Sequence, residues 1–151
     1  MNRRVSSNNK NLETFIYNKL VPDEKVRKIF NNLFPKANDI EWSYKSNNIY
    51  EAVFSHLGYY KNVCISTSGE IKELKILLEE EDLPKNIIHK LDKKFNRTYI
   101  ISCMKVENRN NESYEIIFDT KDKTRYLVLF DHKGKVIKKE SLFVVKSDLI
   151  E

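Results

Sequence analysis

Two segments of this chain follow one layout, and that repetition constrains the fold more than any other feature. Val21-Pro22-Asp23-Glu24-Lys25-Val26-Arg27-Lys28-Ile29-Phe30-Asn31-Asn32-Leu33-Phe34 is followed much later by Leu83-Pro84-Lys85-Asn86-Ile87-Ile88-His89-Lys90-Leu91-Asp92-Lys93-Lys94-Phe95. Each opens on a proline, whose missing N–H is no loss in a first helical turn. Each closes on a phenylalanine. Val26, Ile29, Phe30 and Leu33 recur at i, i+3, i+4 and i+7, and Ile87, Ile88, Leu91 and Phe95 line a second stripe. Both read as amphipathic helices with one buried side. Phe34-Pro35 stops the first, because a residue before proline is pushed out of the helical region. Asp23 and Glu24, and the acidic run 79–82, are expected to serve the positive ends of the two helix dipoles.

Behind each helix comes a train of short strand signals. After the first they are Ile40–Tyr44, Tyr50–Phe54, Tyr59–Ile65 and Glu70–Leu78. After the second they are Thr98–Val106, Ser113–Asp119, Thr124–Asp131 and Lys135–Ser141. Turn clusters at Lys45-Ser46-Asn47-Asn48, Thr67-Ser68-Gly69 and Asp131-His132-Lys133-Gly134 separate them. Strands joined by such short turns must run antiparallel, since parallel neighbours need long crossovers. Superposing the halves pairs Phe34 with Phe95, Tyr50 with Tyr114, Phe54 with Phe118, Val63 with Val128, Ile65 with Phe130, and Gly69 with Gly134. The expected fold is therefore α+β: a tandem α-β4 repeat forming an antiparallel sheet of about eight strands, with the helices on one face. The other face is left to solvent or to a partner.

The expected organisation is an N-terminal extension over residues 1–20, partly disordered or a short helix carrying Leu12, Phe15, Ile16 and Leu20. The first repeat spans 21–81, the second 82–145, and a tail 146–151. Leu142-Phe143-Val144-Val145 is apolar enough to extend the last strand or pack on the body.

The formal charge of +5 arises from 27 basic and 22 acidic residues, so both signs are abundant. That mixture argues for a solvated surface and against a nucleic-acid partner. The lysines of 133–139 read as protection of an edge strand. No run approaches the length of a membrane helix. The basic N-terminus has no apolar core of a signal peptide behind it, which leaves the cytoplasm as one reading of location. Cys64 and Cys103 lie in strand-like runs and read as buried free thiols. His56, His89 and His132 occupy a strand end, a helix and a turn. No spacing among them or the cysteines matches a metal motif, and no cofactor is expected. Carboxylates at Asp119, Asp122 and 79–81 are better read as turns and caps than as a cation site. The chain is expected not to be an enzyme.

The pattern Val-Pro-x-x-x-Val-x-x-x-Phe-x-x-x-Phe-Pro-x-Ala from Val21, then Ile40-Glu41-Trp42, then Tyr50-Glu51-Ala52-Val53-Phe54, resembles the PepSY-like proteins, also known as β-lactamase-inhibitor-like proteins of Bacteroidetes. The resemblance covers about residues 21–140. Its second copy departs at Asn96-Arg97, where the first has proline, and at Met104, which stands at the tryptophan position. The resemblance implies a β-lactamase-inhibitor-protein-like curved sheet, no catalytic residues, and a periplasmic or envelope location.

Strand parity nominates a contact surface. If Val63, Ile65, Val128 and Phe130 face the helices, Tyr60 and Arg125 face the open side. Trp42 and Tyr44 form a further same-face pair, either core or contact. Exposed Trp, Tyr and Arg are the side chains of protein-contact hot spots. Trp42, Tyr44, Tyr60 and Arg125 are thus the expected contacts of a protein or peptide partner. The leading expectation is a non-enzymatic binding or inhibitor-like module, a monomer or weak homodimer. A small-ligand carrier with a pocket between helices and sheet is the alternative, and a structural envelope protein a third.

Overall fold

Polar turns too short for a crossover leave each strand to pair with its neighbour in the chain, and that is the arrangement seen. The structure, a computed structural model, describes residues 20–144. The expected N-terminal helix, Val145 and the tail lie outside the described residues. Helix α1 (Glu24–Leu33) leads into β1 (Asn38–Lys45), β2 (Ile49–His56), β3 (Tyr59–Ser66) and β4 (Ile71–Leu78). A 3₁₀ turn (Glu80–Asp82) and α2 (Lys85–Lys93) precede β5 (Arg97–Asn108), β6 (Asn111–Thr120), β7 (Thr124–Asp131) and β8 (Val136–Val144). Among the described residues one antiparallel eight-stranded sheet holds the strands in the order β1 to β8. The fold is α+β.

Register shows that both helices cover the same face. Val63 pairs with Leu74 on β4, and Leu78 on the same strand and side pairs with Cys103. Cys103 pairs with Ile116, and Ile116 with Val128. Paired residues share a face, so the core under α1 continues in phase into the core under α2. Two clusters result. Val26, Phe30, Phe34, Ala52, Phe54, Val63 and Ile65 pack beneath α1. Beneath α2 lie Leu83, Ile87, Leu91, Phe95, Cys103, Ile116, Phe118, Val128 and Phe130.

Several expectations need correction. Leu33 is 49% exposed, although it falls on the apolar stripe of α1. The helix ends there, and the turn into Pro35 swings Phe34 over the sheet instead, its ring 4.7 Å from that of Phe54. Proline lies just outside each helix: Asp23 is the N-cap of α1 and Pro84 that of α2. The acidic run does not cap α2. Glu79 and Asp82 close a reciprocal capping box on their own 3₁₀ turn, and Pro84 separates that turn from the helix. Glu80 instead pairs with Arg97 Nη2 at 2.8 Å, and Asp82 accepts the Tyr59 hydroxyl at 3.0 Å.

The largest correction concerns Trp42 and Tyr44. Trp42 pairs with Ala52, and Tyr44 with Tyr50, both on the helix side. The Trp42 ring meets Phe30 edge-on at 5.1 Å, and Tyr44 stacks edge-on against Tyr50 at 5.1 Å. Burial against α1 outweighs any use of Trp42 on the opposite face. Leu142, Phe143 and Val144 extend β8 past a bulge, with Phe143 opposite Arg125.

Candidate functional site: the uncovered sheet face

Alternation along a strand forces every second side chain away from the helices. On β2 to β5 these outward positions include Val53, Tyr60, Asn62, Lys75, Leu77 and Met104. Leu77 sits directly opposite Met104, Asn62 opposite Val53, and Lys75 opposite both Asn62 and Val106. Together they line a shallow hollow of about 240 Å³. Tyr60 is 65% exposed, and Val53 and Leu77 are each 43% exposed. Ile117 and Leu127, paired with each other on β6 and β7, carry the apolar strip onward half-buried.

Polar clusters flank the strip. The Glu51 carboxylate accepts from Asn62 at 2.6 Å and lies 3.3 Å from Lys45 Nζ. Partial burial pushes that carboxyl up, but the hydrogen bonds from Asn62, Lys45 and Ser43 outweigh it and hold it below its ordinary range. On the far side Arg125 donates through Nε and Nη2 to the two oxygens of Asp119, at 2.7 and 3.0 Å. Its guanidinium also stands 4.8 Å from the centre of the Phe143 ring. Hydrogen bonding to Asp119 raises the Arg125 pKa still further.

Of the residues expected at a contact surface, the structure places Tyr60 and Arg125 on the uncovered face and Trp42 and Tyr44 on the other. Tyr60 belongs to the apolar hollow. Arg125 is separate from it and already committed to Asp119 and Phe143. Val53, Leu77 and Met104 were missed. Their signal is weak because Leu74, Ile76, Leu77 and Leu78 make β4 apolar on both sides, so parity cannot be read there. Met104 was legible only as a substitute for a tryptophan.

Other sequence candidates disperse. His56 lies at the end of β2, His89 in α2 and His132 in the β7–β8 turn. Asp119 is bound by Arg125, and Asp122 accepts from Thr120. Among the described residues no group of three or more His, Cys, Asp or Glu side chains is placed to hold a metal ion. No helix among them is long and apolar enough to cross a membrane. Cys64 and Cys103 are free thiols.

An eight-stranded antiparallel meander with both helices on one face defines a class of fold that recurs in solved structures. One is a BLIP-like protein from Bacteroides fragilis, with a TM-score of 0.72, 16% identity and coverage of 86% of this chain and 93% of that one. A DUF2874 family protein from Bacteroides ovatus gives 0.71 and 20%, covering 86% and 94%. A Bacteroides eggerthii protein provisionally described as periplasmic gives 0.73 and 17%, covering 86% and 96%. At these identities the likeness is one of fold, and the fold is BLIP-like. No family model matches the chain and no curated protein is similar to it in sequence.

Proposed function

We propose that the protein is a non-enzymatic, inhibitor-like binding module that presents the uncovered face of its sheet to a protein or peptide. The observation that carries this reading is the apolar hollow of Val53, Tyr60, Leu77 and Met104, left open to solvent with polar clusters at its margins. Contiguous exposed apolar residues with a polar rim are a feature of interaction surfaces. Tyr60 is its natural anchor, since a tyrosine brings a large rigid contact area with a polar tip. Arg125, held in place by Asp119, is an outlying contact on the same face in this reading. Trp42 and Tyr44 drop out of the contact set. In this reading the partner is not nucleic acid, and the module acts as a monomer or weak homodimer.

We also take residues 21–81 and 82–145 as two copies of one α-β4 unit of PepSY-like type. Equivalent positions support this. Phe54 and Phe118 are both buried, as are Val63 and Val128, Ile65 and Phe130, and Phe34 and Phe95. Gly69 lies beneath Lys25 and Ile29 of α1, and Gly134 beneath Asn86 of α2. In this alignment the counterpart of Trp42 is Cys103, which faces Ile116 as Trp42 faces Ala52. Met104, the next residue along β5, therefore stands on the opposite face. A periplasmic or envelope location accords with the provisional description of the Bacteroides eggerthii neighbour.

The test is a pull-down from envelope and cytosolic extracts of the source organism, with the full chain as bait. A protein retained by wild type and lost with Tyr60→Ala/Leu77→Ala supports the reading. Equal retention by both overturns the site.

A second reading has its own observation. An apolar cavity of about 310 Å³ lies between the end of α1 and the sheet, lined by Leu33, Phe34, Val63, Ile71 and Leu74 with Glu107 and Arg109 at its edge. It suits a small-ligand carrier. A thermal shift with apolar carboxylic acids, removed by Leu33→Asp and kept by Tyr60→Ala/Leu77→Ala, would favour it.

A further inference from the structure

We propose that the protein carries a second site, a pocket for phosphate monoesters at the carboxyl end of α2. It lies on the helix-bearing face, so it is independent of the uncovered face and does not rest on the function proposed above. Lys94 follows α2, Lys121 comes from the β6–β7 turn and Lys139 from β8. These three lysines line one cavity of about 290 Å³ with Phe95 and Tyr126.

Three observations describe the charge balance at this cavity. First, among the described residues none of them has a carboxylate within 4.0 Å, whereas the adjacent Lys138 pairs with Glu140 at 3.5 Å. Second, aromatic faces hold two of them, Lys139 and Lys94. Lys139 Nζ stands 4.5 Å from the Tyr126 ring centre and 5.5 Å from that of Phe95. Lys94 Nζ is 5.6 Å from the same Phe95 ring. Third, the helix dipole accounts for Lys94 at a helix terminus but not for Lys121 or Lys139, which come from other elements. Asp122 also lines the cavity, and its carboxylate is taken up by the Thr120 hydroxyl and the Thr124 N–H. Three positive charges therefore face one carboxylate and the partial negative charge at the end of α2, which leaves a positive surplus. Gathering like charges around a cavity is unfavourable alone and becomes favourable when an anion enters.

The chemistry selects the ligand. Ammonium groups are compact point charges with freely turning donors, suited to the several oxygens of a phosphate. They lack the planar fork that makes arginine selective for carboxylates. The cavity has room beyond one phosphate group, and the Phe95 and Tyr126 rings offer a wall for a flat organic substituent.

The test is a ¹H–¹⁵N NMR titration of the full chain with inorganic phosphate and with phenyl phosphate. The expected result is saturable shifts at Asn96 and at residues 121–123, with a dissociation constant of about a millimolar or below. Phenyl phosphate should bind more tightly than phosphate. Lys121→Gln/Lys139→Gln should weaken binding at least about 10-fold, and Lys138→Gln should leave it unchanged. Three results would overturn the proposal: no saturable shift at these amides, equal weakening by Lys138→Gln, or complete loss of binding in about 150 mM sodium chloride.

Discussion

Gly134 lies so close to Asn86 that a Cβ built on it would fall 2.3 Å from the Asn86 Nδ2 atom. The closeness is functional for the fold: Asn86 donates to the Lys133 carbonyl at 2.7 Å, and Lys90 donates to the carbonyl of Gly134 itself. The β7–β8 turn is thereby fastened to the start of α2. Gly69 has φ +96 and Ile29 Cδ1 2.8 Å from the built Cβ, while Gly58 has φ +87 and nothing within 4 Å. Alanine at Gly58 should therefore cost only the backbone strain, about 1 kcal/mol, whereas Gly134→Ala adds displacement of Asn86 and should cost about 2–3 kcal/mol. Gly69→Ala should fall between, because the flexible end of Ile29 can move. Urea denaturation of the three variants checks the order.

Leu57 has φ +52 at the tip of the β2–β3 hairpin and is exposed. A branched apolar residue in the left-handed region is strained and gains nothing there by burial. Leu57→Asn should raise stability by about 0.5–1 kcal/mol, read as a higher urea midpoint with an unchanged slope.

Trp42 and Tyr60 differ in what they touch, and their alanine variants should differ accordingly. Trp42→Ala removes a ring packed on Phe30 and should cost about 3 kcal/mol. Tyr60→Ala should change stability by no more than about 0.5 kcal/mol. Calorimetry of the two variants separates a core residue from a surface one, and similar losses would contradict the face assignment.

Lys61 Nζ lies 2.9 Å from His56 Nδ1, a contact that needs an unprotonated acceptor there. Burial, then the charges of Lys61 and Lys36, lower the His56 pKa below its ordinary 6.5. A depressed folded-state pKa means the unfolded chain binds the proton first as pH falls. The contribution of His56 is thus fully present above about pH 6.5 and declines as the pH falls through that value toward the folded pKa. Thermal melts between about pH 5 and 8 should show a shallower pH dependence for His56→Gln than for wild type. Parallel curves would exclude His56 as the source.

Cys103 donates to the Leu78 carbonyl, with Sγ 3.2 Å from the oxygen. Burial, with the nearby acidic run adding to it, pushes its thiol up to about 11. At pH 8 the reactive thiolate is then a small minority. A thiol-specific reagent should modify the half-buried Cys64 first and reach Cys103 only as the protein unfolds, as mass spectrometry of timed samples would show.

Much of the fold was legible because the two relevant periods are strong here. The helices, the strands and the core roles of Phe54, Phe118, Val63 and Val128 all follow from spacing. Trp42 was readable in principle, since Ile40, Trp42 and Tyr44 alternate with Glu41, Ser43 and Lys45 and so declare an apolar side. Parity alone left that side as either core or contact, although the apolar side of an edge strand is normally the buried one. The register shifts at Arg97–Tyr99 and Ile100–Ser102 were invisible, because they leave local composition unchanged. The acidic run was misassigned because Pro84 sits between it and α2. The open-face hollow escaped notice because β4 is apolar on both sides. Lysines of the phosphate pocket come from three separate elements, which no spacing rule can join.

Strand order in the sheet is identical to strand order in the chain. During synthesis, therefore, each strand emerges beside a template that is already in place, and no segment has to wait for a distant one. Every residue of the core under α1 precedes Glu80, so that half can close around Phe30 and Phe54 before α2 leaves the ribosome. Until β5 arrives, β4 is a temporary outer margin, and Lys72 and Lys75 there discourage pairing with the wrong chain. The ladder between β4 and β5 is the step at which a growing chain commits from a four-stranded body to the complete sheet.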